Sequence, residues 1–195
     1  EIVDFFIGNT RDFNFYNGKQ LNLLQSAVKT SQSRESFELF WLKIQNLIKN
    51  REDLKKFLLA KGQLNSNALT LCKDEKSFDF LFKKVYCEVF ELKEFIYETN
   101  LDYYNLYQHL VQFCSTSMLE SVSLVLKERL TRDELRAFIK VKGSKGQSIF
   151  HFAALNEISE DLVKFLANFI ECELSGEELR EILMECDAEG FLPFQ

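Results

Sequence analysis

Four times this chain writes one six-residue phrase: an acid, a leucine, a base, any residue, then two large apolar residues. The copies are residues 53–58 (DLKKFL), 91–96 (ELKEFI), 134–139 (ELRAFI) and 178–183 (ELREIL). Their leucines, Leu54, Leu92, Leu135 and Leu179, recur after 38, 43 and 44 residues. Self-similarity at such a period is the signature of supersecondary units stacked one on the next. A unit of that size cannot bury its apolar face alone, so the copies must cover one another. The chain is a repeat array first, and its surfaces are the place to look for function.

The copies agree beyond the phrase. At an offset of 44, Leu130-Thr131 matches Leu174-Ser175 and Gly146 matches Gly190; at an offset of 81, LKKFLLAKG (54–62) matches LRAFIKVKG (135–143). A second phrase opens the preceding segment in two copies, SFELFW at 36–41 and SFDFLF at 77–82. Apolar residues fall on helical rows over 160–173 (Leu162, Val163, Phe165, Leu166, Phe169, Ile170) and 118–130, and residues 78–90 are apolar around most of their circumference. Thr131, Ser159 and Ser175 each precede acids, the pattern of a hydroxyl cap at the positive end of a helix. Gly143-Ser144-Lys145-Gly146 and Asp187-Ala188-Glu189-Gly190 read as turns, with Tyr103-Tyr104-Asn105 and Asn65-Ser66-Asn67 in the equivalent places and Asn standing in for Gly. No long alternating pattern predicts a strand; residues 2–7 are too short to decide.

Composition narrows the class. Hydrophobic residues make up 46% of the 195 residues, 20 of them Phe, ample for a continuous core. The net charge of −6, with no Lys/Arg block, argues against a grip on nucleic acid. Cys72, Cys87, Cys114, Cys172 and Cys186 form no C-x-x-C pair, which predicts reduced core thiols in an intracellular, cytoplasmic or nuclear protein, with a secreted effector left open. No apolar run reaches the ~18 residues of a membrane helix. The chain lacks an initial Met and stops inside an unfinished copy, and it reads as a piece of something longer.

The segment Gly146-Gln147-Ser148-Ile149-Phe150-His151-Phe152-Ala153-Ala154, followed by the Leu-rich 161–166, resembles the ankyrin repeat, with its Gly, Thr-Pro-Leu-His and Ala-Ala pattern. Asp187 to Gln195 is similar to the opening of another copy, with Asp, Gly and Pro in place. The resemblance implies an all-α, ankyrin-like helical repeat solenoid. The copies run to 40–44 residues against ~33 in the standard repeat, and the excess holds the acid-Leu-base phrase, which predicts an extra short helix per repeat. Approximate units are 18–61, 62–101, 102–145 and 146–189, with another beginning at 190–195, in a single array.

Sites of chemistry are missing from the sequence. His109 and His151 fall 42 residues apart at what reads as one repeat position, too far apart on successive stacked helices to share a zinc ion; the resemblance gives this His a structural role at the turn. Residues 143–146 lack the phosphate-loop spacing, and the nucleophile-elbow, zincin, EF-hand and dinucleotide signatures do not occur. No enzyme, cofactor or metal is expected. Ala153 and Ala154 are expected at a tight helix contact. Two functional readings stand: a module that binds a protein or peptide through its concave face and hairpin tips, or an accessory or regulatory segment of a larger enzyme or toxin. For the first, the repeat pattern implies contacts at Tyr103, Asn105 and Phe113 in one unit and at Lys145, Gln147, Leu155 and Asn156 in the next.

Overall fold

A short helix forms at every copy of the acid-Leu-base phrase: Arg51–Leu59, Lys93–Ile96, Arg132–Ile139 and Gly176–Met184. These helices belong to a computed structural model that describes residues 21–30, 33–62, 66–99, 104–113, 115–155 and 160–194. The chain divides into two compact units, residues 1–101 and 102–195, and each contains two three-helix repeats.

In the first unit, α1 (Leu23–Thr30), α2 (Arg34–Leu47) and α3 (Arg51–Leu59) make one repeat. The next is α4 (Ala68–Leu71), α5 (Glu75–Phe80), a π-helical stretch (Leu81–Tyr86) that runs on into α6 (Cys87–Val89), and α7 (Lys93–Ile96). Local chemistry sets each start. Ser33 accepts from the Ser36 N–H, Asn50 from Glu52 and Asp53, Asn67 from Thr70, and Asp74 from Ser77, so orphan amides at four helix ends find partners. The Phe-rich phrases supply the core: Phe37, Phe57, Phe78, Phe82 and Phe95 are buried to 1% exposure or less. Phe78 stacks on Phe82 at 5.9 Å, and Tyr86 meets Phe95 at 5.3 Å. Burying a Phe or Leu side chain contributes about 1.5–3 kcal/mol, so these residues are a large part of what holds the unit together. The buried Tyr86 hydroxyl donates to the Leu58 carbonyl across the repeat joint, 2.5 Å away.

The second unit repeats the plan with α8 (Leu106–Phe113), α9 (Thr116–Arg129), α10 (Arg132–Ile139), α11 (Ile149–Leu155), α12 (Glu160–Glu171) and α13 (Gly176–Met184). Thr131 and Ser175 close reciprocal capping boxes with Glu134 and Glu178 at the starts of α10 and α13. Leu110, Leu119, Leu126, Phe150, Phe152, Leu162, Leu166 and Ile170 fill the interior. Inside it, Ser123 Oγ donates to Leu119 O at 2.7 Å, which leaves it to accept the buried Tyr107 hydroxyl at 2.8 Å.

Ion pairs join the third helices of successive repeats, or the residues just after them, and in each of these pairs the base is on the earlier repeat. Lys55 pairs with Glu94 and Lys61 with Glu98 in the first unit; Arg136 and Lys140 share Glu178, and Lys142 meets Glu185, in the second. The recurring phrase is therefore an interlock as well as a helix: apolar residues face the core while charges reach the neighbouring copy. The fold class is all-α, with ankyrin-like helical repeats carrying an extra short helix in each.

Three expectations need correction. Ala153 is buried but Ala154 is exposed, because the short helix α11 turns only the first of the pair inward. Cys72 and Cys87 are buried free thiols, whereas Cys172 and Cys186 are exposed; they lie just past the ends of α12 and α13, outside the core-facing rows. Asn67 and Asn105 do not replace the turn glycine. They occupy the helix-start register of Ser148, and Asn67 has φ −94° where the turn glycines Gly146 and Gly190 take φ 73° and 87°. Residues 2–7, Cys114 and Ser159 lie outside the described residues.

Candidate functional site

One buried polar device recurs at the start of the first helix of a repeat and fixes the hairpin tip beside it. Asn22 and Gln25 exchange hydrogen bonds, each backbone N–H donating to the other's side-chain oxygen at 2.9 and 2.8 Å; Asn105 and Gln108 do the same at 3.0 and 2.9 Å. The glutamine amide then reaches the following hairpin: Gln25 Nε2 donates to Ala60 O and Ser66 O, and Gln108 Nε2 donates to Val141 O. Ser148 and His151 are the third instance. The Ser148 N–H donates to His151 Nδ1 at 3.0 Å, which puts the ring proton on Nε2, and Nε2 donates to Phe191 O at 3.0 Å. The partner of His151 in this register is thus Gln108 and not His109, as expected from the sequence; His109 lies one residue on, 5.0 Å from the Phe113 ring. Ser148 Oγ lies 2.8 Å from the same Nδ1, yet serine and histidine are both nearly buried and the other ring nitrogen faces a carbonyl. The pair is built as a helix cap.

The hairpins that these side chains hold share a geometry. Gly62, Gly143 and Asp187 donate their N–H to Ser66 O, Gln147 O and Phe191 O at 3.0, 2.9 and 2.9 Å. In the second unit the last two hairpins are joined directly, Ala188 N–H to Lys145 O at 2.8 Å. Gly143 has no room for a side chain: a Cβ there would stand 2.7 Å from the Phe152 ring. Asp187 braces its turn by accepting the Glu189 and Phe191 N–H groups on Oδ1 at 2.9 and 3.0 Å. Those donors, chiefly the Phe191 amide, hold its carboxyl below the usual aspartate range.

Between these two hairpins and the end of α11 lies a groove of ≈ 470 Å³, within the size range of ligand clefts. Lys145, Gln147 and Leu155, all expected as contacts, line it together with His151, Asp187, Glu189 and Phe191. Leu155 and Phe191 are each 56% exposed, apolar surface turned to water. Lys145 reaches Glu189 at 3.0 Å, and that bond raises the lysine's affinity for its proton. Phe191 was not expected at the site; its place four residues after Asp187, in the register of Gln147, was the available signal.

The other expected contacts fare differently. Phe113, at the end of α8, is 57% exposed. Asn105 is 2% exposed with its side chain committed to the Gln108 N–H, so the folded chain offers nothing of it to a partner. Tyr103 and Asn156 lie outside the described residues. Among the described residues, no group of His, Cys, Asp and Glu is placed to hold a metal ion, and no helix is long and apolar enough to cross a membrane.

No protein-family model and no curated protein matches this sequence. Solved structures do. The chain is 13% identical to the ankyrin repeat domain of Bcl-3, a member of the IkappaB protein family, with a TM-score of 0.47 over 98% of this chain and 84% of that one. It is also similar to a chain in the structure of the Bd0816 predatory endopeptidase from Bdellovibrio bacteriovorus in complex with immunity protein Bd3460, at 13% identity and a TM-score of 0.58, covering 97% of this chain and 80% of that one. At 13% identity the likeness to the chain of the Bdellovibrio complex is one of fold alone.

Proposed function

We propose that this chain is a protein-interaction module that holds a protein or peptide at its hairpin tips, along the groove of the second unit. One observation carries the reading: two large apolar side chains, Leu155 and Phe191, stand more than half exposed along a groove whose frame is held by hydrogen bonds. Core packing does not need them there, and a preformed cleft that sets apolar side chains beside polar ones is the usual shape of a binding site. Phe113 extends the same kind of surface on α8. Catalysis has no comparable support, since the buried Ser148–His151 pair is occupied in capping. Truncating a central apolar anchor of an interface costs ~2 kcal/mol or more.

The test is affinity capture from cells that make the protein, comparing the wild type with a Leu155→Ser/Phe191→Ser variant of matched melting temperature. At least one captured protein should fall by about tenfold or more with the variant. Identical captured sets would remove the groove from consideration.

A further inference from the structure

The net charge of this protein is not spread over the chain. Residues 1–101 hold fifteen Lys/Arg and fourteen Asp/Glu, a net of +1, whereas residues 102–195 hold nine and sixteen, a net of −7. Within the second unit the final repeat is the source: residues 146–189 contain eleven acids and two bases. Five of those acids are absorbed by cations, with Glu173, Glu178, Glu185 and Glu189 pairing with lysines or arginine of the preceding repeat and Glu160 with Lys164. Asp161, Glu171, Glu177 and Glu181 stand in no ion pair among the described residues. The groove belongs to this repeat and the tip before it, and it shares the imbalance. Its one lysine, Lys145, is matched by Glu189, and Asp187 is left over. The Glu189 and Phe191 amides brace Asp187 at Oδ1, and its carboxylate stands in no ion pair among the described residues.

From the groove's shape and charge together, we propose that its occupant is a basic peptide segment: a Lys or Arg that meets the Asp187–Glu189 edge, next to an apolar side chain that lies against Leu155 and Phe191. This rests on the reading of the groove as a binding surface and adds the chemistry of what fills it. A cation at Asp187 meets a carboxylate that no ion pair of the fold neutralises. The surrounding field of a unit at −7 favours positively charged partners over negative ones before contact. An acidic segment would bring like charges together, a costly juxtaposition at an interface.

Selection from a random 12-residue peptide display library tests this, panned on the wild-type chain and counter-selected on Leu155→Ser/Phe191→Ser. Groove-dependent peptides should carry net positive charge and at least one large apolar residue. Their affinity, read by fluorescence anisotropy, should fall about three- to tenfold in Asp187→Asn. Asparagine keeps the Oδ1 acceptor, so the turn survives, and circular dichroism melts check this. Affinity should also weaken between ~50 and ~300 mM salt. Groove-dependent peptides that are neutral or acidic, or that are indifferent to Asp187→Asn, overturn the inference and leave the groove as a binding site. Basic peptides held equally by the counter-selected variant overturn it too, since the field alone would then be at work. If no peptide depends on the groove, the proposed function fails with it.

Discussion

At the scale of single residues, the same structural position is filled by Gln25, Gln108 and His151, and each joins a helix start to the next hairpin. Glutamine and a histidine protonated on Nε2 offer the same pair, an acceptor near the backbone and a donor at the tip. His151→Gln should therefore keep the thermal midpoint close to that of the wild type. His151→Ala strands the Ser148 N–H and takes one of the two donors from Phe191 O, which keeps the Asp187 N–H; it should cost about 1–3 kcal/mol, read by circular dichroism melts. A His151→Ala protein with an unchanged midpoint would show that the bonds seen at this joint carry no weight. The alanines separate in the same way. Ala153→Leu should destabilise the second unit by about 1–3 kcal/mol through overpacking, and the exposed Ala154→Leu should change the midpoint little; equal effects would contradict the burial described.

At the scale of elements, the phrase that repeats in sequence turns out to be the third helix of each repeat, and its existence was legible because its leucine spacing and its capping signals agree. Thr131 and Ser175 were readable as caps for the same reason: hydroxyl and glutamate stand three apart in both places. The pairing of charges was not. An acid and a base within one copy read as a local pattern, whereas the partner of Arg136 is Glu178 in the next copy, 42 residues away. Nor does local sequence say which of two adjacent residues takes a register, and so His109 was aligned with His151 while Gln108 does its work. The groove was half legible: Lys145, Gln147 and Leu155 follow from the repeat pattern, but Asn105 is not among the residues that line it, since a polar residue in a tip-like stretch can equally be a buried cap.

The third-helix interlock also makes a pH prediction. Lys140, the Ser175 N–H and Arg136 hold the Glu178 carboxyl far below its ordinary value of 4.5. Its folded value is lower than its unfolded one, so its contribution is complete above the ordinary glutamate range and is lost progressively as the pH falls from near 4.5 toward the folded value. Glu178→Gln should lower the midpoint at pH 7, and wild type and variant should converge as the solution is acidified through and below that range. A gap that persists unchanged into strong acid would mean that the glutamate acts through packing and not through charge.

At the scale of the whole molecule, the two compact units are built on one plan, and sequence period alone carried that plan into view. What the period could not carry is the polarity of charge along it, which leaves the second unit at −7 and the first near neutrality. The interlock has a direction: base on the earlier copy, acid on the later one, in both units. A segment with a basic trailing side and an acidic leading side is complementary to its own duplicate. Copying one repeat in tandem would therefore produce a joint that already fits, and such an array can lengthen by duplication without a new interface having to evolve first.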